Sequence, residues 1–103
     1  MIGIVMDAVF INPNPAGKGL NEATIEPPLG LAYMAAVLEK NHFQCKIIDA
    51  NALGYTPKKV LEEIPRNSKL IGIFLNSFCY KSCQELVKLI KQERKNSLIL
   101  LGG

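Results

Sequence analysis

The side chains with obvious reactivity are three cysteines and one histidine. Cys79 and Cys83 are four residues apart and therefore lie on one face of a predicted helix. With Cys45 they supply three thiols for a metal, but no fourth ligand has suitable spacing. Buried cysteine packs as a small hydrophobe, so we expect Cys79 and Cys83 to pack in the core. A reactive thiol at Cys79 is the alternative, because the start of a helix favours the thiolate.

His42 is the only histidine, so it must be weighed as a ligand or a base. It follows the first predicted helix in the run Asn41-His42-Phe43, which is typical of a surface turn. The sequence contains no Ser-His-Asp triad, no paired carboxylates and no metalloprotease motif. We therefore expect no catalytic residue and no metal ligand in this chain, and we expect no catalysis by this fragment alone.

Two periodicities alternate along the chain and predict four strands and three helices. The strands are the apolar runs Val9–Ile11, Cys45–Asp49, Leu70–Leu75 and Leu98–Leu101. The helices are Leu31–Lys40 with Asn41 as C-cap, a short one between the N-cap Thr56 and Pro65, and Cys79–Lys95. Apolar strands that alternate with amphipathic helices indicate an α/β fold, with a parallel sheet between helices on both faces.

Ligands of open parallel sheets bind beyond the carboxyl ends of the strands, which selects four segments of this chain. These segments are Asn12–Leu29, Asp49–Asn51, Asn76–Tyr80 and Gly102–Gly103. The first is long for such a connection, so it either wraps a polar ligand or is a mobile loop. Asp49 ends a strand where an acidic residue could bond a ribose hydroxyl, but G-x-G-x-x-G and P-loop motifs do not occur here.

The segment Glu26–Glu39 contains the motif Pro-Pro-Leu-Gly-Leu at Pro27–Leu31. Other short motifs lie before and after it along the chain. These motifs are Asn12-Pro13, Asp49-Ala50, Gly72-Ile73 with Ser77, and Gly102-Gly103. Together they resemble the N-terminal B12 (cobalamin)-binding-like domain of radical S-adenosylmethionine (SAM) enzymes, over nearly the whole chain, 1–103. That family includes cobalamin-dependent methyltransferases, methylthiotransferase-like enzymes and the anaerobic magnesium-protoporphyrin IX monomethyl ester cyclase. The resemblance implies a flavodoxin-like (Rossmann-like) three-layer sandwich with strand order 2-1-3-4, ending before a fifth strand.

The resemblance also implies a cofactor, cobalamin, and the residues around it. Base-off cobalamin domains carry D-x-H-x-x-G after the first strand, with the histidine on cobalt. This chain has Asn12, Asn14 and Gly17 at those positions, so the implied site lacks a histidine ligand. Small residues would let backbone approach the nucleotide tail at Ser77, Gly102 and Gly103. The expected cofactor-binding residues are Asn12, Asn14, Gly17, Asp49, Ser77, Gly102 and Gly103.

Radical SAM chemistry needs a C-x3-C-x2-C motif for its [4Fe-4S] cluster, and this chain lacks one. Cys79 and Cys83 have the first spacing, but the third position is Leu86. The resemblance therefore implies that the cluster and SAM belong to a downstream radical SAM domain, which is the expected partner. The chain is expected to be an accessory cobalamin-binding-like domain of an enzyme for methyl transfer or oxidative cyclisation. The alternative is a flavodoxin-like packing module that has lost cofactor binding.

Composition narrows the setting in which this domain works. With 103 residues, of which 49% are hydrophobic, the chain is one folded domain and not a disordered segment. Its net charge of +3 is scattered, so we expect no nucleic-acid partner. The odd cysteine count, the absence of a basic signal-peptide region and a longest apolar stretch of only Leu29–Leu38 predict a cytoplasmic protein without a membrane span.

The last residues, Leu98–Leu101 and Gly102-Gly103, form a strand pattern followed by a turn. In the strand order 2-1-3-4-5 the first and last helices cover one face of the sheet. A chain that stops after the fourth strand is expected to expose apolar residues of strands three and four. Because large apolar patches rarely stay bare, we expect self-association through that face or edge.

Overall fold

The computed structural model describes residues 5–15, 28–75 and 79–103. In chain order its elements are β1 (Met6–Asn12), α1 (Leu29–Lys40), β2 (Cys45–Asp49), α2 (Ala50–Leu53), α3 (Pro57–Glu63), β3 (Ser68–Phe74), α4 (Tyr80–Glu93) and β4 (Leu98–Gly102). Each predicted strand and helix is present. The four-residue α2 was not predicted, because one helical turn is too short to show a periodicity.

The four strands form one parallel sheet in the order β2-β1-β3-β4, which confirms the predicted topology. In register, Asn12 lies beside Asp49, and Phe74 lies beside Gly102. The helix α1 packs on one face of the sheet, and α3 and α4 pack together on the other. The result is the expected three-layer α/β/α sandwich of flavodoxin-like type.

Local sequence signals set the helix ends. The Thr56 side chain accepts a hydrogen bond from Lys59 N at 3.2 Å, and Pro57 occupies the first turn, so α3 begins where predicted. Asn41 is the C-cap of α1, also as predicted. His42 follows with a φ of 68° and an exposed side chain, which confirms that it is a surface turn residue.

We call the sheet face under α3 and α4 the closed face. Its strands contribute the buried residues Val9, Ile11, Ile48, Ile71 and Ile73, and its helices contribute Val60, Ile64, Cys79, Cys83, Leu86 and Ile90. Cys79 and Cys83 are each 2% exposed, so the prediction of core packing is confirmed. This face holds most of the described hydrophobic core.

We call the opposite face, under α1, the open face. Its buried cluster is small and joins Ala8 and Phe10 of β1 to Leu31 and Ala35 of α1. Within the described ranges, the cluster under α1 includes one β3 residue, the partly buried Leu70, and no residue of β4. Leu98 and Leu100 of β4 are accordingly 68% and 56% exposed. The predicted apolar exposure is therefore present on β4, and on β3 it reaches only Phe74, at 36%.

Candidate functional site

A cavity of about 610 Å³ opens on the open face, between α1 and the carboxyl halves of β1, β3 and β4. Its walls are mainly apolar side chains: Phe10, Leu29, Leu31, Met34, Phe74 and Leu100. This is the end of the sheet where parallel folds bind ligands. A cavity of this volume falls within the range that takes a small organic ligand or part of a larger cofactor.

Glycines in the cavity wall leave space that larger side chains would occupy. Apart from its own backbone neighbours, a Cβ added at Gly30 or Gly102 would meet no atom of the described residues within 4 Å, so neither position packs against another part of the described structure. A Cβ at Gly72 would lie 3.0 Å from Cδ1 of Phe10, which packs directly against the bare strand. At Gly103 a Cβ would collide with the Leu75 carbonyl oxygen, so this end of β4 is held close to the end of β3.

A few amide groups form the polar rim of the cavity. Asn12 lines it, and its Nδ2 donates to Asp49 Oδ1 at 3.0 Å. The same Asp49 oxygen accepts from Ala52 N at 3.1 Å and caps α2. Asp49 thus orients Asn12 and the start of α2, and it does not line the cavity itself. Asn51, the second residue of α2, is 9% exposed and lines the cavity beside Asn12.

Of the seven predicted site residues, Asn12, Gly102 and Gly103 line the cavity. Asp49 does not line it but accepts a hydrogen bond from Asn12. Asn14 does not line the cavity: its carbonyl accepts a hydrogen bond from Ser82 Oγ at 2.5 Å, which ties this loop to α4. Gly17 and Ser77 lie outside the described residues.

Several cavity residues are absent from the seven expected binding residues, chiefly Phe10, Gly30, Met34, Asn51 and Gly72, although Asn51 lies in the predicted ligand-side segment Asp49–Asn51. Most are apolar or glycine and carry no chemical signal in the sequence. Gly72 is an exception, because a glycine inside a strand often marks the close approach of a ligand or of another chain segment. Asn51 follows Asp49 closely enough to share its segment at the carboxyl end of β2.

The cysteine pair belongs to the closed face and is separate from the cavity. The two sulfur atoms of Cys79 and Cys83 are 3.8 Å apart, and Cys83 Sγ also lies 3.8 Å from the Phe74 carbonyl oxygen. Burial, and then the neighbouring Cys79, raises the pKa of Cys83 to about 12, so its thiol stays protonated. In the part of the chain that the structure describes, no three His, Cys, Asp or Glu residues cluster as metal ligands.

Comparison with known proteins gives one match. A family model described as the B12 binding domain matches residues 20–103, the range from before α1 to the end of β4. It therefore includes most of the residues that line the cavity. No curated protein and no solved structure matches the chain. Among the described residues, no helix has both the length and the apolar character of a membrane span.

Proposed function

The chain belongs to the B12-binding domain family, and on this premise we propose that it binds cobalamin at the open-face cavity. The observation that carries the proposal is the cavity itself, which lies at the ligand-binding end of the sheet and has glycine and apolar walls. Its volume of about 610 Å³ suits the nucleotide tail of the cofactor better than the whole cofactor.

The residues present fit such a tail. Gly30 and Gly102 leave open space on two sides of the cavity, because neither position directs a side chain into it. Met34 and Leu100 offer apolar surface for a flat aromatic base. Asn12 and Asn51 carry amides that donate and accept hydrogen bonds at the rim, and Asp49 orients the first of them.

We propose that cobalt receives no imidazole from this chain. Asn14 stands at the position of the family's histidine, and its carbonyl is hydrogen-bonded to Ser82. His42 lies in the turn between α1 and β2, at the amino end of the parallel sheet. Bound cobalamin supplies methyl-group transfer chemistry. The contribution of the described residues is to hold the tail, orient Asn12 and exclude water from the apolar walls.

Titration with hydroxocobalamin, followed by the corrin absorbance and by equilibrium dialysis, tests the proposal. The variant Gly102→Leu places a side chain into the cavity and should weaken binding at least tenfold. Met34→Trp narrows the same cavity from α1 and should act in the same direction. The matched control is Ala32→Trp, an exposed position of α1 that does not line the cavity, and it should bind like the unchanged chain.

Two results would overturn the cofactor proposal. One is the absence of cobalamin retention by the unchanged chain, which would favour a packing module that has lost the cofactor, as the asparagine at position 14 also suggests. The other is equal binding by Gly102→Leu and Ala32→Trp, which would place the cofactor elsewhere. Circular dichroism of each variant checks that the fold is retained.

We also propose that the domain serves a radical SAM enzyme, with its [4Fe-4S] cluster and SAM in a downstream domain of the same polypeptide. The resemblance of Pro27–Leu31 and Gly102-Gly103 to that family supports this context. The parent reaction would be a methyl transfer or an oxidative cyclisation. The coding sequence beyond Gly103 tests it: we expect C-x3-C-x2-C roughly a hundred positions on, about one domain length. A continuation without this motif would contradict the proposed context and leave cobalamin binding untouched.

A further inference from the structure

The register of the four strands arranges the open-face residues of the cavity region in two rows across the sheet. The row at the carboxyl edge, which we call the outer row, consists of Asp49, Asn12, Phe74 and Gly102. The row two residues deeper in each strand, which we call the inner row, consists of Ile47, Phe10, Gly72 and Leu100. Two residues of a strand span roughly 6.6 Å, so the inner row lies that far below the carboxyl edge.

The two rows differ in polarity. In the outer row, Asn12 Nδ2 donates a hydrogen bond to Asp49 Oδ1 at 3.0 Å. Among the described residues that line the cavity, the polar side chains are Asn12 and Asn51, and Asn51 belongs to α2, which begins directly after the outer row. The inner row consists of apolar residues and glycine. The described polar side chains of the cavity thus lie at its mouth, and its floor has none.

The backbone of this floor is also occupied. Phe10 belongs to β1, which pairs with β2 and β3, and Gly72 belongs to β3, which pairs with β1 and β4. An interior strand uses its N–H and C=O groups in the ladders on its two sides. The ring of Phe10 leans over Gly72, because a Cβ added there would lie 3.0 Å from Cδ1 and 3.3 Å from Cε1. The floor between β1 and β3 is therefore an aromatic ring above paired backbone.

The helix α1 supplies the wall beside this floor. Leu31 and Ala35 of α1 pack against Phe10, and Met34 of the same helix lines the cavity. A thioether is polarizable and apolar, packs well against aromatic rings, and is only a weak hydrogen-bond acceptor. A flat ring on the floor would therefore meet the Phe10 ring and the Met34 side chain, and neither offers a strong hydrogen bond.

We propose that the cavity selects among cobamides, the cofactors that share the corrin ring of cobalamin and differ in the base of the nucleotide tail. The selection rests on the proposed function. The base occupies the inner row, and the ribose and phosphate stay at the outer row beside the amides of Asn12 and Asn51. A base whose edge is apolar, such as 5,6-dimethylbenzimidazole, matches the inner row. Adenine does not, because its amino group and ring nitrogens need hydrogen-bond partners.

The size of the selectivity follows from the cost of burying polar groups without partners. In water, the amino group and ring nitrogens of adenine are hydrogen-bonded, and they lose these bonds on the floor of the cavity. The two methyl groups of dimethylbenzimidazole lose no such bond and bury additional apolar area. An apolar site rejects a ligand with an added polar group by up to about 100-fold. We therefore expect the dissociation constant of the adenine cobamide to exceed that of cobalamin by about 10- to 100-fold.

Equilibrium dialysis of the chain against cobalamin and against the cobamide with adenine in place of dimethylbenzimidazole tests the selection. Met34→Gln brings an amide to the wall beside the floor, so it should lower the ratio of the two dissociation constants about tenfold. The matched control is Val37→Gln, at a 59% exposed residue of α1 that does not line the cavity, and it should leave the ratio unchanged. Because both cofactors are measured on the same variant, the ratio does not depend on the fraction of folded protein.

The possible failures are distinguishable. Equal dissociation constants for the two cobamides, or tighter binding of the adenine form, would overturn the selection and leave the cobalamin site in place. An unchanged ratio in Met34→Gln would also overturn it, because the base would then lie away from this wall and floor. Binding of neither cobamide would overturn the proposed function itself, and the selection with it.

Discussion

The closed and open faces are formed by the same four strands but differ in how much of each face helices cover and in how exposed its side chains are. On the closed face α3 and α4 cover the strands, and residues such as Ile71 and Leu86 are at most 1% exposed. On the open face α1 covers half of the sheet, and Leu98 remains 68% exposed. Successive side chains of a strand point to opposite faces of the sheet, so two neighbouring residues of β3 show the contrast. Ile73, on the closed face, is 2% exposed, and Phe74, on the open face, is 36% exposed.

The contrast separates stability from function. The helix α4 has an apolar face towards the core and charged residues on the outside, which is the pattern of a helix that needs no further partner. The helix α1 lacks that pattern, and glycines replace large side chains on the neighbouring strands. Natural sequences depart from consistent patterning where they bind something. The open face is therefore where we place the cofactor site.

The largest expected difference between the faces is in the stability that is lost when a leucine side chain is shortened to alanine. Leu86→Ala removes a side chain that is 1% exposed and should lower the free energy of unfolding by about 3 kcal/mol. Leu100→Ala makes the same change on a side chain that is 56% exposed and should cost less than about 1 kcal/mol. Urea denaturation measures both.

Equal losses in the two leucine variants would contradict the division into a closed and an open face. Both variants remove the same atoms, so most of the expected difference reports burial, and the opposite preferences of alanine for helix and strand act against it.

A smaller effect is expected at Arg94, a buried polar residue of the closed side. Its Nη2 donates to the carbonyl oxygens of Leu61 at 3.1 Å and Ile64 at 2.9 Å, which ties the end of α3 to the end of α4. Arg94→Met keeps the length of the side chain but leaves both carbonyls without this donor, at a cost of about 2 kcal/mol. Thermal unfolding measures it, and Arg66→Met, at an exposed position, should have little effect.

Sequence patterns were sufficient for the order of strands and longer helices and for capped helix ends, because these depend on local signals, whereas strand ends and the short α2 differ from the prediction. Thr56 with Pro57 starts a helix wherever it occurs, and Asn41 ends one. The site was predicted where residues end a strand, as at Asn12 and Gly102. Met34 was not, because an apolar residue on a helix becomes a cavity wall only when the neighbouring space is empty. That property belongs to the packing of other elements.

Hydrogen bonds at the carboxyl edge of the sheet are expected to contribute less to the free energy of unfolding than the hydrogen bonds of Arg94 do. The Asp49 carboxylate accepts from Asn12 Nδ2 and from Ala52 N, and it is only partly buried. Asp49→Ala should lower the free energy of unfolding by about 1.5 kcal/mol, the value of an N-cap and a partly exposed hydrogen bond. Thermal unfolding gives the cost. Asp49→Asn keeps an acceptor oxygen and should recover most of it, whereas an equal loss would show that charge matters more than the bonds.

The smallest expected effect is an alkaline loss of stability that belongs to the closed face. Burial raises the pKa of Cys83 to about 12, above the ordinary thiol value of 9.0 that the unfolded chain shows. Between these values the unfolded chain releases the proton while the folded chain retains it, so stability is full below pH 9 and falls as the pH rises. By about pH 10 the loss should be a little more than about 1 kcal/mol.

Two cysteine variants distinguish the faces in this titration. In Cys83→Ala the alkaline loss should shrink relative to the unchanged chain, once the shared contributions of lysine and tyrosine are subtracted. Cys45 belongs to β2 on the open-face side, and its pKa is also raised, first by burial and then by Glu39 and Asp7. Because Cys45 is only partly buried, Cys45→Ala should change the slope less than Cys83→Ala does. A larger change at Cys45 would mean that the open face excludes water as well as the closed face does, which would contradict the contrast between the two faces.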